Sequence, residues 1–129
     1  MSLEMTMAIT ILNVDDSKLA RIVVGKVVAA LQPDWRRLEA STADEALGLL
    51  EQQTVDIVIL DFNMPGRNGL DLAEDLRQRF PDMPIALATA NVQDEVIARA
   101  RAAKVTFVPK PVTEEGLRGF LSGAALALR

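Results

Sequence analysis

Short apolar, β-branched runs alternate with amphipathic helical patterns along this chain, and that alternation limits the available folds more than any bulk property. Residues 8–14 (AITILNV) read as a buried strand closed by Asp15 and Asp16. Apolar residues then recur at helical spacing over 17–31, at Ala20, Val23, Val24, Val27, Val28 and Leu31, until Pro33 ends the pattern. A short strand is expected at 37–41. The next helix opens with Thr42-Ala43-Asp44-Glu45, which has the spacing of a capping box, and continues through Leu47, Leu49 and Leu50. Residues 55–60 (VDIVIL) are nearly all apolar, the mark of a central strand covered on both faces.

The second half repeats the pattern. Residues 69–80 place Leu70, Ala73, Leu76 and Phe80 on one helical face, and Pro81 and Pro84 bracket the turn into a strand at 85–89. Residues 92–103 form a helix with Val96, Ile97 and Ala100 inward. The last strand is 105–108, and Pro109-Lys110-Pro111 turns into a final helix with Leu117, Phe120, Leu121, Ala124, Ala125 and Leu128 as its core stripe. Five strands and five helices in alternation predict parallel strands, right-handed crossovers and helices on both faces, a doubly wound α/β fold. No repeat or linker divides residues 8–129, which are expected to form one domain. Residues 1–7 hold three methionines and lack a basic or apolar targeting pattern, so they are read as a leader, disordered or added, before a native start at Met5 or Met7.

Composition narrows the chemistry. With no cysteine and no histidine, thiol catalysis, disulfides, Cys/His zinc sites and Ser-His pairs are excluded. A net charge of −4, with no dominant Lys/Arg cluster, argues against direct nucleic-acid binding by this domain. No apolar run approaches the ~20 residues that span a bilayer, so no membrane role is expected. The absence of cysteine fits a cytoplasmic protein. Carboxylates, lysines, hydroxyls and oxygen-loving cations remain.

In open parallel sheets the functional site lies at the carboxyl ends of the strands. Those ends carry Asp15 and Asp16, then Asp61, Thr89 and Lys110; only the second strand, an expected edge, offers no candidate. Three converging carboxylates repel one another unless neutralised. Lys110 and a divalent cation are the available counter-charges, and an all-oxygen ligand set suits Mg²⁺. A carboxylate in such a setting can act as a nucleophile and carry an aspartyl-phosphate. The Thr89 hydroxyl and Lys110 ammonium would then hold phosphoryl oxygens.

Asp15-Asp16, Asp61 followed by Asn63-Met64-Pro65 and Gly69, Thr89-Ala90 and Lys110-Pro111 together resemble the receiver domains of bacterial two-component response regulators, over essentially the whole chain after the leader. The resemblance implies a flavodoxin-like sheet of order 2-1-3-4-5 and a phosphorylated signalling domain, with no enzyme activity beyond its own phosphorylation and dephosphorylation. It implies that Asp61 accepts a phosphoryl group from the histidine of a sensor kinase or phosphotransfer protein. Asp16, Asp61 and the backbone carbonyl of Asn63 would bind Mg²⁺ directly, with Asp15 acting through a metal-bound water or a weaker contact. Thr89 and Phe107 would be the hydroxyl and aromatic of the switch, the Lys110–Pro111 bond would be cis, and Asn63 and Asn91 would tune phosphoryl lifetime. Leu19 and Ile22 would lie on the surface that docks the phosphodonor. Output would pass to a downstream protein or fused domain, with the fourth helix, fifth strand and fifth helix able to form a homodimer face.

Plainer readings stand beside these. Asp15-Asp16 could simply cap a helix, Thr89 could be an ordinary strand residue, Phe107 a core residue and Leu19 and Ile22 the margin of a wide stripe. Two rival functions are a degenerate receiver that binds partners constitutively and an aspartyl-phosphate phosphatase. The phosphatase would need an acid two residues after its nucleophile, where this chain has Asn63. Arg67 and Lys104 depart from the family pattern. Arg67 is expected to project into solvent rather than add charge at the site, and Lys104, standing where glycine is usual, to leave its helix end less regular. Gly116, Gly119 and Gly123 give the last helix a small-residue face of the kind an output surface could use.

Overall fold

The computed structural model describes residues 8–90 and 93–128. Its elements are β1 (Thr10–Val14), α1 (Lys18–Leu31), β2 (Arg36–Ala40), α2 (Ala43–Gln52), β3 (Ile57–Asp61), α3 (Gly69–Arg79), β4 (Ile85–Thr89), α4 (Asp94–Ala102), β5 (Thr106–Pro109) and α5 (Glu114–Ala127). All strand pairs are parallel, in the order β2-β1-β3-β4-β5, so the order reverses between β1 and β3. Among the described residues no helix is long and apolar enough to cross a membrane.

The pleat sorts the core into two layers. Ile11, Ile57, Ile59, Ala86, Ala88 and Val108 face Val24 and Val28 of α1 and Leu117 and Leu121 of α5. Their alternate neighbours Leu12, Val58, Leu60, Ile85 and Leu87 face α2, α3 and α4 through Ala46, Leu72, Leu76, Val96 and Ala100. β3 is buried along its length, as its apolar run predicts. The same parity continues past the strand ends. Asp15 follows Ile11 and Asn13, Asp61 follows Ile57 and Ile59, and Lys110 follows Val108, which sets all three on the α1/α5 side. Thr89 follows Ile85 and Leu87 on the other.

Several local expectations change. Val23 belongs to no core stripe: it is 40% exposed, beside Leu19 and Ile22. Leu128 is exposed as well, beyond the end of α5. At α2 the Thr42 hydroxyl accepts from Glu45 N–H at 3.0 Å, but the Glu45 carboxylate bonds the backbone N–H and hydroxyl of Ser41 rather than the N–H of Thr42. The helix expected from Val92 begins at Asp94; Val92 itself lies outside the described residues.

The end of α4 is regular despite its lysine. Lys104 adopts φ 58°, Val105 N–H bonds the Ala100 carbonyl at 2.8 Å, and Lys104 N–H bonds that of Arg101 at 3.0 Å. That is a complete Schellman motif built without glycine. Arg77 of α3 adds bonds to the carbonyls of Ala103 (2.8 Å) and Lys104 (3.1 Å), which hold the lysine in its left-handed conformation. That conformation costs a non-glycine residue about 1 kcal/mol. Lys104→Gly is therefore expected to raise unfolding stability by ~0.5–1 kcal/mol, after allowance for the added freedom of its unfolded chain. Urea unfolding of the two proteins measures the difference.

Candidate functional site

The ends of β1, β3 and β5 deliver three carboxylates and one ammonium to one edge of the sheet. One carboxylate oxygen from each of Asp15, Asp16 and Asp61 lies within 4.8 Å of the others. Lys110 Nζ stands 2.6 Å from Asp61 Oδ1 and 3.4 Å from Asp15 Oδ2. Asp15 and Asp61 are buried and Asp16 is exposed. Every polar group of Asp15 is tied. Its N–H donates to Ala40 O (3.1 Å), Oδ1 accepts from Ser17 N–H (2.9 Å), Oδ2 faces Lys110 and its carbonyl accepts from Arg21 Nη1 (2.6 Å).

Asp61 is less settled. It is 4% exposed, and its Oδ1 is sealed from solvent with no aligned hydrogen-bond donor, the close ammonium making an ion contact only. Burial pushes its pKa above the ordinary carboxylate value and the charge of Asp15 adds to this; Lys110 and the Asn63 backbone N–H pull it back without cancelling it. Burial also disfavours the Lys110 ammonium, but the two carboxylates outweigh that and raise its pKa. One cation thus offsets two buried anions. A buried oxygen short of donors, in an all-carboxylate cluster, fits a hard divalent cation.

The loop after β3 is built to return to Asp61. Gly69 N–H donates to Phe62 O at 3.0 Å, and a Cβ at Gly69 would overlap the carbonyl oxygen of Asp61. Gly66 has φ 81° at the centre of a tight turn closed by Arg67 N–H to Pro65 O. Arg67 is partly exposed, as expected of a solvent-facing residue, but its head group is tied down. Its guanidinium pairs with Asp75 Oδ2 at 3.0 Å and reaches the Asp71 carbonyl at 3.4 Å, fastening the loop to α3. Asn68 caps that helix through Asp71 N–H.

The remaining candidates divide by position. Thr89 is buried, on the opposite pleat face from Lys110, and its carbonyl accepts Lys110 N–H at 3.2 Å. Phe107 pairs in register with Leu87 and is half-buried. The Lys110–Pro111 peptide is cis. Asn63 is exposed on the loop, and Asn91 lies outside the described residues. Sequence reading missed Arg21, although a cation one turn and a half after an acidic pair was a signal available to it. Beside the acids runs a groove of about 480 Å³, mostly apolar, with Leu19, Val23, Pro111 and Val112 in its walls.

An open parallel sheet with this constellation at its switch point is an α/β domain of the flavodoxin-like class. Comparison with known proteins makes the assignment narrower. The model of the response regulator receiver domain matches residues 11–122. A chemotaxis protein CheY homolog of Campylobacter jejuni is 35% identical over 112 residues, which cover 84% of this chain and 85% of that protein. The cyclic di-GMP phosphodiesterase response regulator RpfG of Xanthomonas campestris is 35% identical over 117 residues, but this chain spans only 30% of its length. Among solved structures, Vibrio cholerae chemotaxis protein CheY4 superposes with a TM-score of 0.81 at 25% identity, covering 92% of this chain and 99% of that one. The chain belongs to the receiver-domain family of bacterial two-component response regulators.

Two measurements probe this geometry. Gly69→Ala is expected to cost ~2–4 kcal/mol in urea unfolding because backbone must move, whereas Gly66→Ala, in open space, costs only about 1 kcal/mol for its positive φ. With its folded pKa raised, the Asp61 carboxyl stabilises the fold when protonated. That contribution is complete below the unfolded value of about 3.9 and is lost as pH rises through the folded value. In metal-free buffer Asp61→Asn is therefore expected to melt above wild type at pH 7, the gap closing as the pH approaches 4.

Proposed function

We propose that this domain is a phosphorylation-switched signalling module with Asp61 as phosphoacceptor. The observation that carries the reading is the Asp61 carboxylate itself, buried, short of hydrogen-bond donors, 2.6 Å from Lys110 and grouped with Asp15 and Asp16. Its oxygen attacks phosphorus of a phosphohistidine. The P–N bond breaks, its electron pair returns to the imidazole, which takes up a proton, and an acyl phosphate remains on Asp61. Lys110 follows the charge from carboxylate to phosphoryl oxygen, and Thr89 supplies a hydroxyl from the neighbouring strand.

Asp16 and Asp61, with the Asn63 carbonyl, are the residues that would hold Mg²⁺. Asp15, whose two oxygens are engaged by Ser17 and Lys110, would act through water. When bound, the cation supplies charge neutralisation to the incoming phosphoryl group. The phosphodonor, a sensor histidine kinase or phosphotransfer protein, docks on the α1 face, where Leu19 is 71% exposed next to Ile22 and Val23. A domain that takes its phosphoryl group from such a donor works in the cytoplasm. Thr89 and Phe107, both on the α4 side of the sheet, form the switch, and Asn63 and Asn91 set the lifetime. The signal leaves through α4, β5 and α5, to a downstream protein, a fused domain or a second copy.

Acetyl phosphate with Mg²⁺ is expected to add one phosphoryl group by intact mass to wild type and none to Asp61→Ala. Fluoroberyllate with Mg²⁺ should shift the melting curve of wild type alone. Mg²⁺ at ten times its Kd should stabilise wild type by about 1.4 kcal/mol. A wild type as unresponsive as Asp61→Ala would identify a constitutive interaction module instead.

A further inference from the structure

We propose that Arg21 is a positioning residue of the metal site, orienting the Asp15–Asp16 peptide so that the exposed Asp16 carboxylate faces the cluster; this rests on the reading of Asp15, Asp16 and Asp61 as a Mg²⁺ site. Arg21 lies in the first turn and a half of α1, and its side chain is only 16% exposed. Nη1 donates to the Asp15 carbonyl at 2.6 Å, a short charge-assisted bond, while Nε donates to Glu39 Oε1 at 2.9 Å. Its own carbonyl accepts from Asn13 Nδ2 at 3.4 Å, which joins α1 to β1 a second time.

The carbonyl that Arg21 holds belongs to the peptide linking the two acids. Asp15 has independent restraints on its N–H and both carboxylate oxygens, so its side chain does not depend on Arg21 alone. Asp16 is exposed and follows the peptide plane. The planar fork of arginine is needed because the two acceptors lie in different directions, one on the β1–α1 loop and one on edge strand β2. A lysine ammonium can satisfy either acceptor but presents no such fork.

Charge and positioning act in opposite senses here, which makes the role testable. Arg21 is a cation beside a cation site, so its charge alone disfavours Mg²⁺ and its removal should tighten binding. If its work is to orient the acids, removal weakens binding instead. Outer residues that orient metal ligands typically contribute 10–100-fold in affinity.

The experiment is Mg²⁺ titration by calorimetry at fixed ionic strength on wild type, Arg21→Met, Arg21→Lys, Glu39→Gln and Val28→Ala. The last variant truncates a buried α1 residue that does not line the groove beside the acids, and controls for loss of stability. Arg21→Met is expected to weaken Mg²⁺ ~10-fold and Arg21→Lys several-fold, with Val28→Ala unchanged. Glu39, on the exposed side of the arginine, should matter less than about twofold. Should Arg21→Met fail to fold, the charge-preserving Arg21→Lys decides. Affinity equal to or tighter than wild type in the folded Arg21 variants, or an equal loss in Val28→Ala, overturns the role of Arg21. Absence of Mg²⁺ binding by wild type overturns the metal reading beneath it.

Discussion

Two buried carboxylates held against one ammonium are the constraint around which this domain is arranged. Asp15 and Asp61 reach that position because β1 and β3 are adjacent and their side chains share one pleat face. Lys110 reaches it from β5, two strands away from β3, across the small residues Ala86 and Ala88 of β4. The arrangement stays under electrostatic stress, with burial and Asp15 both opposing ionisation of Asp61. It persists because the backbone around it has little freedom. Asp15 is bonded at four points, and Gly69 lets the following loop close against the Asp61 carbonyl. A rigid frame holding an unfavourable charge is a setting in which adding a cation or a phosphoryl group changes the local energy strongly.

The loop after Asp61 and helix α4 are connected through α3. Arg67 bonds Asp75 and the Asp71 carbonyl, and Arg99 of α4 bonds the carboxylates of Asp71 and Glu74 at 3.0 and 2.6 Å. Asp71 therefore touches both. Asp75 also pairs with Arg79; although burial opposes the charge, the two arginines hold its carboxyl below the usual range. These pairs are partly exposed, and each contributes less than about 1 kcal/mol. Links of that strength keep elements in register, yet they can be exchanged within the few kcal/mol that separate two conformations of a switch. Arg67 thus has a structural place in the link between the loop after Asp61 and α4.

Alternation and strand-end chemistry made the parallel α/β sheet and the acidic cluster readable from the sequence, because periodicity and the location rule for parallel sheets are both local or topological, while the strand order came with the receiver-domain resemblance. What escaped was tertiary. Val23 has helical spacing suited to the core, but α1 packs through Val24 and Val28, which turns Val23 toward the groove. Lys104 should have disturbed a helix end, yet Arg77 from another helix binds the carbonyls on either side of the strained peptide. Arg67 was expected in solvent because its partner is eight residues away, two turns along α3. Arg21 offered only its spacing from the acidic pair as a signal, because its acceptor is a backbone carbonyl, which no residue type advertises.

Segregation by pleat face bears on how a switch could be read out. The ionic groups Asp15, Asp61 and Lys110 lie on the α1/α5 side, whereas Thr89 and Phe107 follow the α3/α4 side. Lys110 N–H and the Thr89 carbonyl are bonded to each other, so the two sides meet at the end of the β4–β5 pair. A phosphoryl group on Asp61 large enough to engage both Lys110 and Thr89 would have to draw the threonine hydroxyl around the strand end toward the ionic side. Thr89 and half-buried Phe107 thus lie across the sheet from the charge that a phosphoryl group would add, and the bonded end of the β4–β5 pair is where the two sides touch.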